Sequence, residues 1–413
     1  MKIRSITYFD HPGDPVTEDS IKRAGAFSVH AREIFPSAGF EVQTIRFASP
    51  PFPLLLGRME GDHLIDFALQ LEALLQPLGY DYISLGPALP SHLQTYSLLP
   101  DLIAATEHSF CSGMLTEGSR RISLPAVRAC GQVIHSLSTV EDNGFANLYF
   151  AALGNVPPGA PFFPAAYHTL EGTATFAVAV EAADLAAAAF SSGKEFSTVG
   201  QELVSHIEKT GRSLSGAART LSRITGAAFG GIDFSPAPFP DQDHSIGGAL
   251  ENLGLEFIGG LGSVAAAALL ADLIDQAEFP RTGFSGLMLP VLEDSVLAQR
   301  WADSSLGVKD LLLYAAVCGT GLDTVPLAGD TTPSQISALL FDLAALSTRL
   351  NKPLTARLMP IPGKKAGDPT SFDFPFFANS RVMELQTGTL GNCFEGEGYL
   401  EINPRNRHSG SGD

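Results

Sequence analysis

Cysteine is scarce. Cys111, Cys130, Cys318 and Cys393 are the four in 413 residues, widely separated and never in CxxC spacing. This excludes a disulfide scaffold and points to a reducing, cytoplasmic setting. Basic side chains are few as well: 26 lysines and arginines face 44 acids, a formal charge of −18. Such a chain repels phosphate backbones and anionic lipids, so nucleic acid and membrane are not expected partners. The acid excess reads either as a cation site or, more commonly, as solvated surface. No long apolar run is present, since the most apolar later stretch, residues 257–274, carries glycines and Asp272. The opening MKIRSITYF reads as a strand rather than a signal core. No GxGxxG motif and no Walker lysine occur, so nothing points to a nucleotide or to hydride transfer. There is no internal repeat and no long low-complexity linker.

What is present is an ordinary globular make-up, 45% hydrophobic and 17% charged, able to bury a sizeable core. Strand-like runs alternate with helical patterns, which predicts an α/β architecture with parallel pairing. The runs lie at residues 2–8, 40–47, 82–85, 111–115, 173–180, 255–258, 286–289, 311–317 and 354–359, with a helix from after Thr17 to about Phe35. Ser123 before Leu124-Pro125 and Thr332 before Pro333 are helix starts, a hydroxyl cap followed by a proline that needs no donor. In the second helix Ile336, Leu339, Leu340, Leu343, Leu346 and Leu350 recur at helical spacing, and Asn351 and Pro353 close it. The Ala-rich piece 182–190 reads as a packed helix. One domain is expected over residues 1–390 and an irregular tail over 391–413.

The stretch YAAVCGTGLDTVPLAGD, residues 314–330, reads as a strand ending at Cys318 and opening into a glycine-punctuated loop. Ligands collect where strand carboxyl ends meet loops, so a site is expected here. Gly319, Thr320 and Gly321 would let the backbone approach a ligand, and Asp323 and Asp330 would supply carboxylates. Equally, Cys318 packs as a small apolar residue, Asp323 makes a turn and Asp330 caps the helix. A second acid-bearing loop, residues 230–245, contains Asp233, Asp241, Asp243 and His244. Its oxygen ligands suit a divalent cation, although helix capping explains much of the same pattern. The rigid loop NVPPGAPFFPAAYH, residues 155–168, delivers His168 as a pocket wall or acid/base, or as a satisfied structural histidine. Residues 258–263 read as an anion cradle at a helix start or as close helix packing. Glu293 and Asp294 read either as site acids or as acids complementing a helix dipole. Lys364 and Lys365 sit in a turn where they either hold an anionic substrate or lie exposed.

The segments VPPGAPFFPAAYH, GIDFSPAPFPDQD, TGFSGLMLPVLED, CGTGLDTVPLAGD and MPIPGKKAGD together resemble the family called domain of unknown function 711, a pyruvate formate-lyase-like group, from the first strand to about Leu385. The resemblance implies a ten-stranded α/β barrel of the glycyl-radical-enzyme type, with helices outside, an internal loop that would house Cys318, and a homodimer. It implies no activity. Radical chemistry does not carry over, because the C-terminal GEGYLE lacks the arginine-valine-x-glycine-tyrosine signature. SFDFPFFANSRVM, residues 371–383, also departs from typical members. The expected function is a hydrolase or lyase acting on a small anionic metabolite. Asp243, Asp323 and Asp330 would orient a Mg, Ca or Mn ion, while Cys318, His168 or Asp323 would do the chemistry. Gly319, Thr320, Gly321, Lys364 and Lys365 would hold the anion. A non-catalytic metabolite-binding protein on the same fold is the alternative.

Overall fold

A computed structural model describes residues 2–57, 61–193, 195–317, 320–388 and 390–405. The strands are β1 (Lys2–Phe9), β2 (Glu41–Val42), β3 (Ile45–Ala48), β4 (Tyr82–Ala88), β5 (Ser109–Met114), β6 (Thr116–Glu117), β7 (Arg121–Ser123), β8 (Phe150–Gly154), β9 (Thr175–Glu181), β10 (Ala228–Asp233), β11 (Gly321–Ala328), β12 (Leu354–Ile361) and β13 (Tyr399–Glu401). Ten of them form one sheet in the order β10-β9-β1-β3-β4-β5-β8-β12-β11, with β2 also on β1. The central strands β1, β3, β4, β5 and β8 are parallel. The outer pairs run the other way, β9 antiparallel to β1 and β12 antiparallel to β8. A small sheet joins β13, β7 and β6.

The expected ten strands therefore exist in one mostly parallel sheet, but no ladder among the described residues joins β10 to β11 to close a barrel. Between those two edges runs an irregular segment: Arg281 bridges Ile232 of β10, and Pro290 bridges Asp323 of β11. The sheet also curls. β1 and β12 are five places apart in the strand order, about 24 Å if the sheet were flat. Yet Arg4 of β1 and Arg357 of β12 bond the same carboxylate, that of Glu293.

Alternation along each strand separates two apolar environments. Ile45, Phe47, Ile83, Leu85, Val178, Val180, Leu354 and Ala356 point to the helix side and join the main core. The opposite, inner face carries small or polar residues and receives the loop 155–168. Ser5 and Thr7 donate their hydroxyls to the Pro161 carbonyl at 3.3 and 2.8 Å. Ser84 donates to the Ala166 carbonyl at 2.6 Å, and the His168 amide to Ser49 at 2.9 Å. The loop thus satisfies hydroxyls that the inner face would otherwise bury unpaired.

Helix starts follow the capping chemistry. Thr17 caps Glu18–Ser37, Ser123 caps Leu124–Leu137, and Thr332 forms a reciprocal capping box with Gln335. Helix Pro333–Leu350 buries Ile336, Leu339, Leu340 and Leu343, each worth about 1.5–3 kcal/mol, and ends at Asn351 with φ +50°. Three expected strands are absent. Residues 311–317 belong to helix Val308–Val317, where Leu311, Tyr314 and Ala315 are buried and Leu313 is exposed, a 3.6-residue period that so short an apolar run conceals. Residues 255–258 make only the bridge Ile258–Gly260, and 286–289 are irregular, with no ladder. The expected strand at 40–47 is broken into β2 and β3. The 30-residue helix Phe196–Thr225 and strands β8, β10 and β11 are not among the elements expected from sequence.

One buried acid ties two helix starts together. Asp294 caps helix Ser295–Ala302 through the amides of Val296 and Leu297, at 3.0 and 2.9 Å. It also accepts from the Ser245 hydroxyl and the Ile246 and Gly247 amides, at 2.7, 2.6 and 3.2 Å. Burial raises its pKa, with these donors opposing. In urea denaturation Asp294→Ala is expected to lose at least about 3 kcal/mol, because several buried donors lose their acceptor at once. A loss under about 1 kcal/mol would show that water replaces the carboxylate.

Candidate functional site

Local irregularities aim the charged side chains. The β1–β9 register shifts between Ile3 and Ser5, leaving Arg4 as an extra residue that turns inward. In β3 the alternation puts Arg46 and Ala48 inward while Ile45 and Phe47 join the main core. The β11–β12 register shifts between Leu322 and Val325, setting Asp323 and Thr324 (φ +43°) opposite Arg357. Glu293 is positioned by its neighbour Asp294, the buried cap.

These residues line a cavity of about 160 Å³ together with Thr44, Tyr82, Phe110, Phe162, Phe163 and Met288. That is room for roughly five to ten waters. Phe374 and Phe376 form another part of the wall, and Arg4 lies 5.3 Å from the Phe376 ring centre. Opposite charges alternate along one side. Glu181 accepts from Arg4 at 3.3 Å and from Gln43 at 2.5 Å, Glu293 accepts from Arg4 at 3.0 Å and from Arg357 at 2.7 Å, and Asp323 accepts from Arg357 at 2.5 Å. Burial works against the charge on Arg357, but the Asp323 and Glu293 carboxylates outweigh it and raise its pKa. Burial raises the Asp323 pKa; Arg357 pulls it down and Glu293 pushes it up.

Arg46 differs from its neighbours. It is 9% exposed and donates Nε to Thr44 Oγ1 at 2.9 Å. Its guanidinium lies 5.1 Å from the Phe163 ring centre and 5.6 Å from that of Tyr82. Among the described residues it has no ion pair. Burial, and then Arg4, push its pKa down to about 9. A guanidinium fork held this way has the geometry to donate two parallel bonds to a planar anion.

The cavity lies at the amino ends of the central strands, where Arg4, Arg46, Tyr82 and Phe110 occur, rather than at the expected carboxyl ends. Of the residues singled out from sequence, Asp323 and Glu293 are in its wall. Cys318 and Gly319 lie outside the described residues. Thr320 donates to the Leu287 carbonyl at 2.5 Å. At Gly321, with φ +107°, a Cβ would stand 2.1 Å from the Thr355 carbonyl oxygen, so this glycine serves strand packing. His168 is buried near Phe9, at the carboxyl end of β1, and does not line the cavity. Its pKa is lowered by burial, with Asp10 opposing and His11 reinforcing, and Nε2 has no partner among the described residues.

Asp243 and Asp330 are exposed. Asp330 also lies seven positions beyond Asp323, past the end of β11, a span of at most about 23 Å. The proposed ligand triad is therefore not assembled, and no group of three metal-ligating side chains occurs among the described residues. Glu293 and Asp323 also fit a divalent cation poorly, since each already holds a guanidinium that would repel it. Lys364 and Lys365 lie in the turn after β12, outside the cavity wall, with the Lys365 amide donating to Asp368 at 2.7 Å. Asp233 is a buried anchor for the Phe284 and Ser285 amides, pushed up to about 6 by burial against those hydrogen bonds. Asp241 pairs locally with His244 at 2.8 Å. In the supposed anion cradle a Cβ on Gly259 would meet the Ser305 carbonyl oxygen at 1.9 Å, which favours close packing. Arg4, Arg46 and Arg357 belong to no sequence motif. The signal they carry is an isolated arginine inside an apolar strand, rarely buried without a partner.

The chain as a whole is similar in sequence to known proteins. A family model described as "Uncharacterised ACR (DUF711)" matches residues 1–379. A UPF0210 protein of Pyrobaculum arsenaticum is 31% identical over 362 residues, covering 82% of this chain and 79% of the relative. One of Acetivibrio thermocellus is 30% identical over 349 residues, covering 81% and 77%. One of Oenococcus oeni is 28% identical over 369 residues, covering 86% and 81%.

Removing Arg357 would leave two buried carboxylates short of a partner. Arg357→Met is expected to cost about 3–5 kcal/mol at pH 7. An acid whose folded pKa is raised contributes most below its unfolded pKa and loses that contribution as pH rises through the folded one. The deficit should therefore shrink as pH falls from 7 toward 4, read by urea denaturation across that range. A pH-independent deficit would show that the carboxylates are neutral or rehydrated in the variant.

Proposed function

The chain belongs to the DUF711 family of uncharacterised proteins, and from its own geometry we propose that it is a small-molecule enzyme of hydrolase or lyase type that binds an anionic metabolite in the cavity beside Arg46. The observation that carries this reading is a buried guanidinium, gripped by aromatic rings, with no carboxylate of its own among the described residues. Keeping such a charge away from water is costly unless a ligand supplies the counter-charge. A carboxylate would take two parallel N–H bonds from Arg46.

Asp323 is the acid/base candidate, because burial holds its carboxyl above the ordinary range beside the bound anion. Proton transfer by a carboxylate suits elimination or activation of water. Acid/base chemistry of this kind proceeds by proton transfer and needs no covalent intermediate. A second reading, a non-catalytic metabolite-binding protein, is favoured by one observation: Glu293 and Asp323 are both engaged with arginine.

The test is a thermal-shift and calorimetric screen of small carboxylates, followed by mass spectrometry of the incubated ligand. Arg46→Met is expected to weaken binding about 30-fold or more, and Asp323→Asn to bind without turnover. If the wild type returns every tight ligand unchanged, the non-catalytic reading holds. If Arg46→Met binds as well as wild type, the anion is held elsewhere.

A further inference from the structure

The cavity has two poles. One is Arg46. The other is the chain Glu181, Arg4, Glu293, Arg357 and Asp323, in which two arginines are shared among three carboxylates. That chain ends in a carboxylate on both sides, but the ends are not equivalent. The Glu181 side chain is only 3% exposed and is closed off by Gln43, whereas Asp323, 15% exposed, lines the cavity. The open end of the chain therefore carries the excess negative charge. Arg46 presents an unmatched positive charge to the same space, without an ion pair to any of these acids.

We propose, building on the anion-binding reading above, that the ligand is a zwitterion, an α-amino acid with an apolar side chain, whose carboxylate meets Arg46 and whose ammonium meets Glu293 and Asp323. The excess carboxylate explains why a simple monoanion is incomplete: it would answer Arg46 and leave the opposite pole unanswered. Two unlike charges on one small molecule answer both. A dianion such as a phosphate monoester would set a second negative charge against the carboxylates. Phe110, Phe162, Phe163 and Met288 leave the remaining wall apolar, which suits a hydrocarbon or aromatic side chain.

Calorimetry on the full chain with leucine, 4-methylpentanoate and 3-methylbutylamine separates the poles, and phenylalanine, 3-phenylpropanoate and 2-phenylethylamine repeat the test with a larger body. The amino acid of at least one set is expected to bind 10-fold or more tighter than both its desamino and its decarboxylated analogue. Glu293→Gln, or Asp323→Asn should the first variant not fold, is expected to abolish the preference for the amino acid over the carboxylate while carboxylate binding persists. If 3-phenylpropanoate or 4-methylpentanoate binds as tightly as its amino acid in the wild type, the zwitterion inference is overturned and the carboxylate site stands. If no amino acid or carboxylate binds while an amine does, both the inference and the Arg46 reading fall.

Discussion

Glu293 is shared by Arg4 and Arg357, and the shape of the inner face follows from that contact. The two arginines stand on strands five places apart in one sheet, so one carboxylate can join them only across a curled sheet, whose edge strands the segment 281–290 also bridges. The curl creates an enclosed inner face, and the loop 155–168 packs into it, accepting from Ser5, Thr7 and Ser84. What the loop leaves open is the cavity. Glu293 can do this only because Asp294, the next residue, is locked between two helix starts.

A buried run of ions is not a cheap way to hold a sheet together, since desolvation offsets much of the attraction. Apolar side chains of similar volume would serve stability as well or better. The charges make more sense as a candidate site: they set a row of opposite poles against aromatic walls and leave Arg46 without an ion pair among the described residues. Backbone bulges in β1 and β11 serve the same end, each turning a charged side chain toward the cavity at the expense of regular pairing.

The contrast between Asp294 and Glu293 shows how a local pattern can be read two ways and resolve differently at adjacent positions. Asp294 is a helix cap, whereas Glu293 lines the cavity. The glycine-punctuated stretch 314–330 resolved differently from expectation. Residues 314–317 end a helix, residues 321–328 form β11, and among the described residues of the stretch Asp323 alone lines the cavity. The candidate lysines and His168 are conspicuous in one dimension because they sit beside prolines and glycines, yet they do not line the cavity.

Sequence by itself determined the α/β class, the capped helices at Thr17, Ser123 and Thr332, most of the central strands and the rigid loop 155–168. Each of these rests on spacing or on contacts a few residues long, which a linear pattern records. Only the tertiary structure decided the site. Arg4, Arg46, Glu293, Asp323 and Arg357 come from five separate parts of the chain, and their meeting depends on strand order, two one-residue register shifts and the curl of the sheet. An arginine inside an apolar strand carries no mark of which carboxylate will face it, because the partner is set by long-range pairing rather than by its neighbours in sequence.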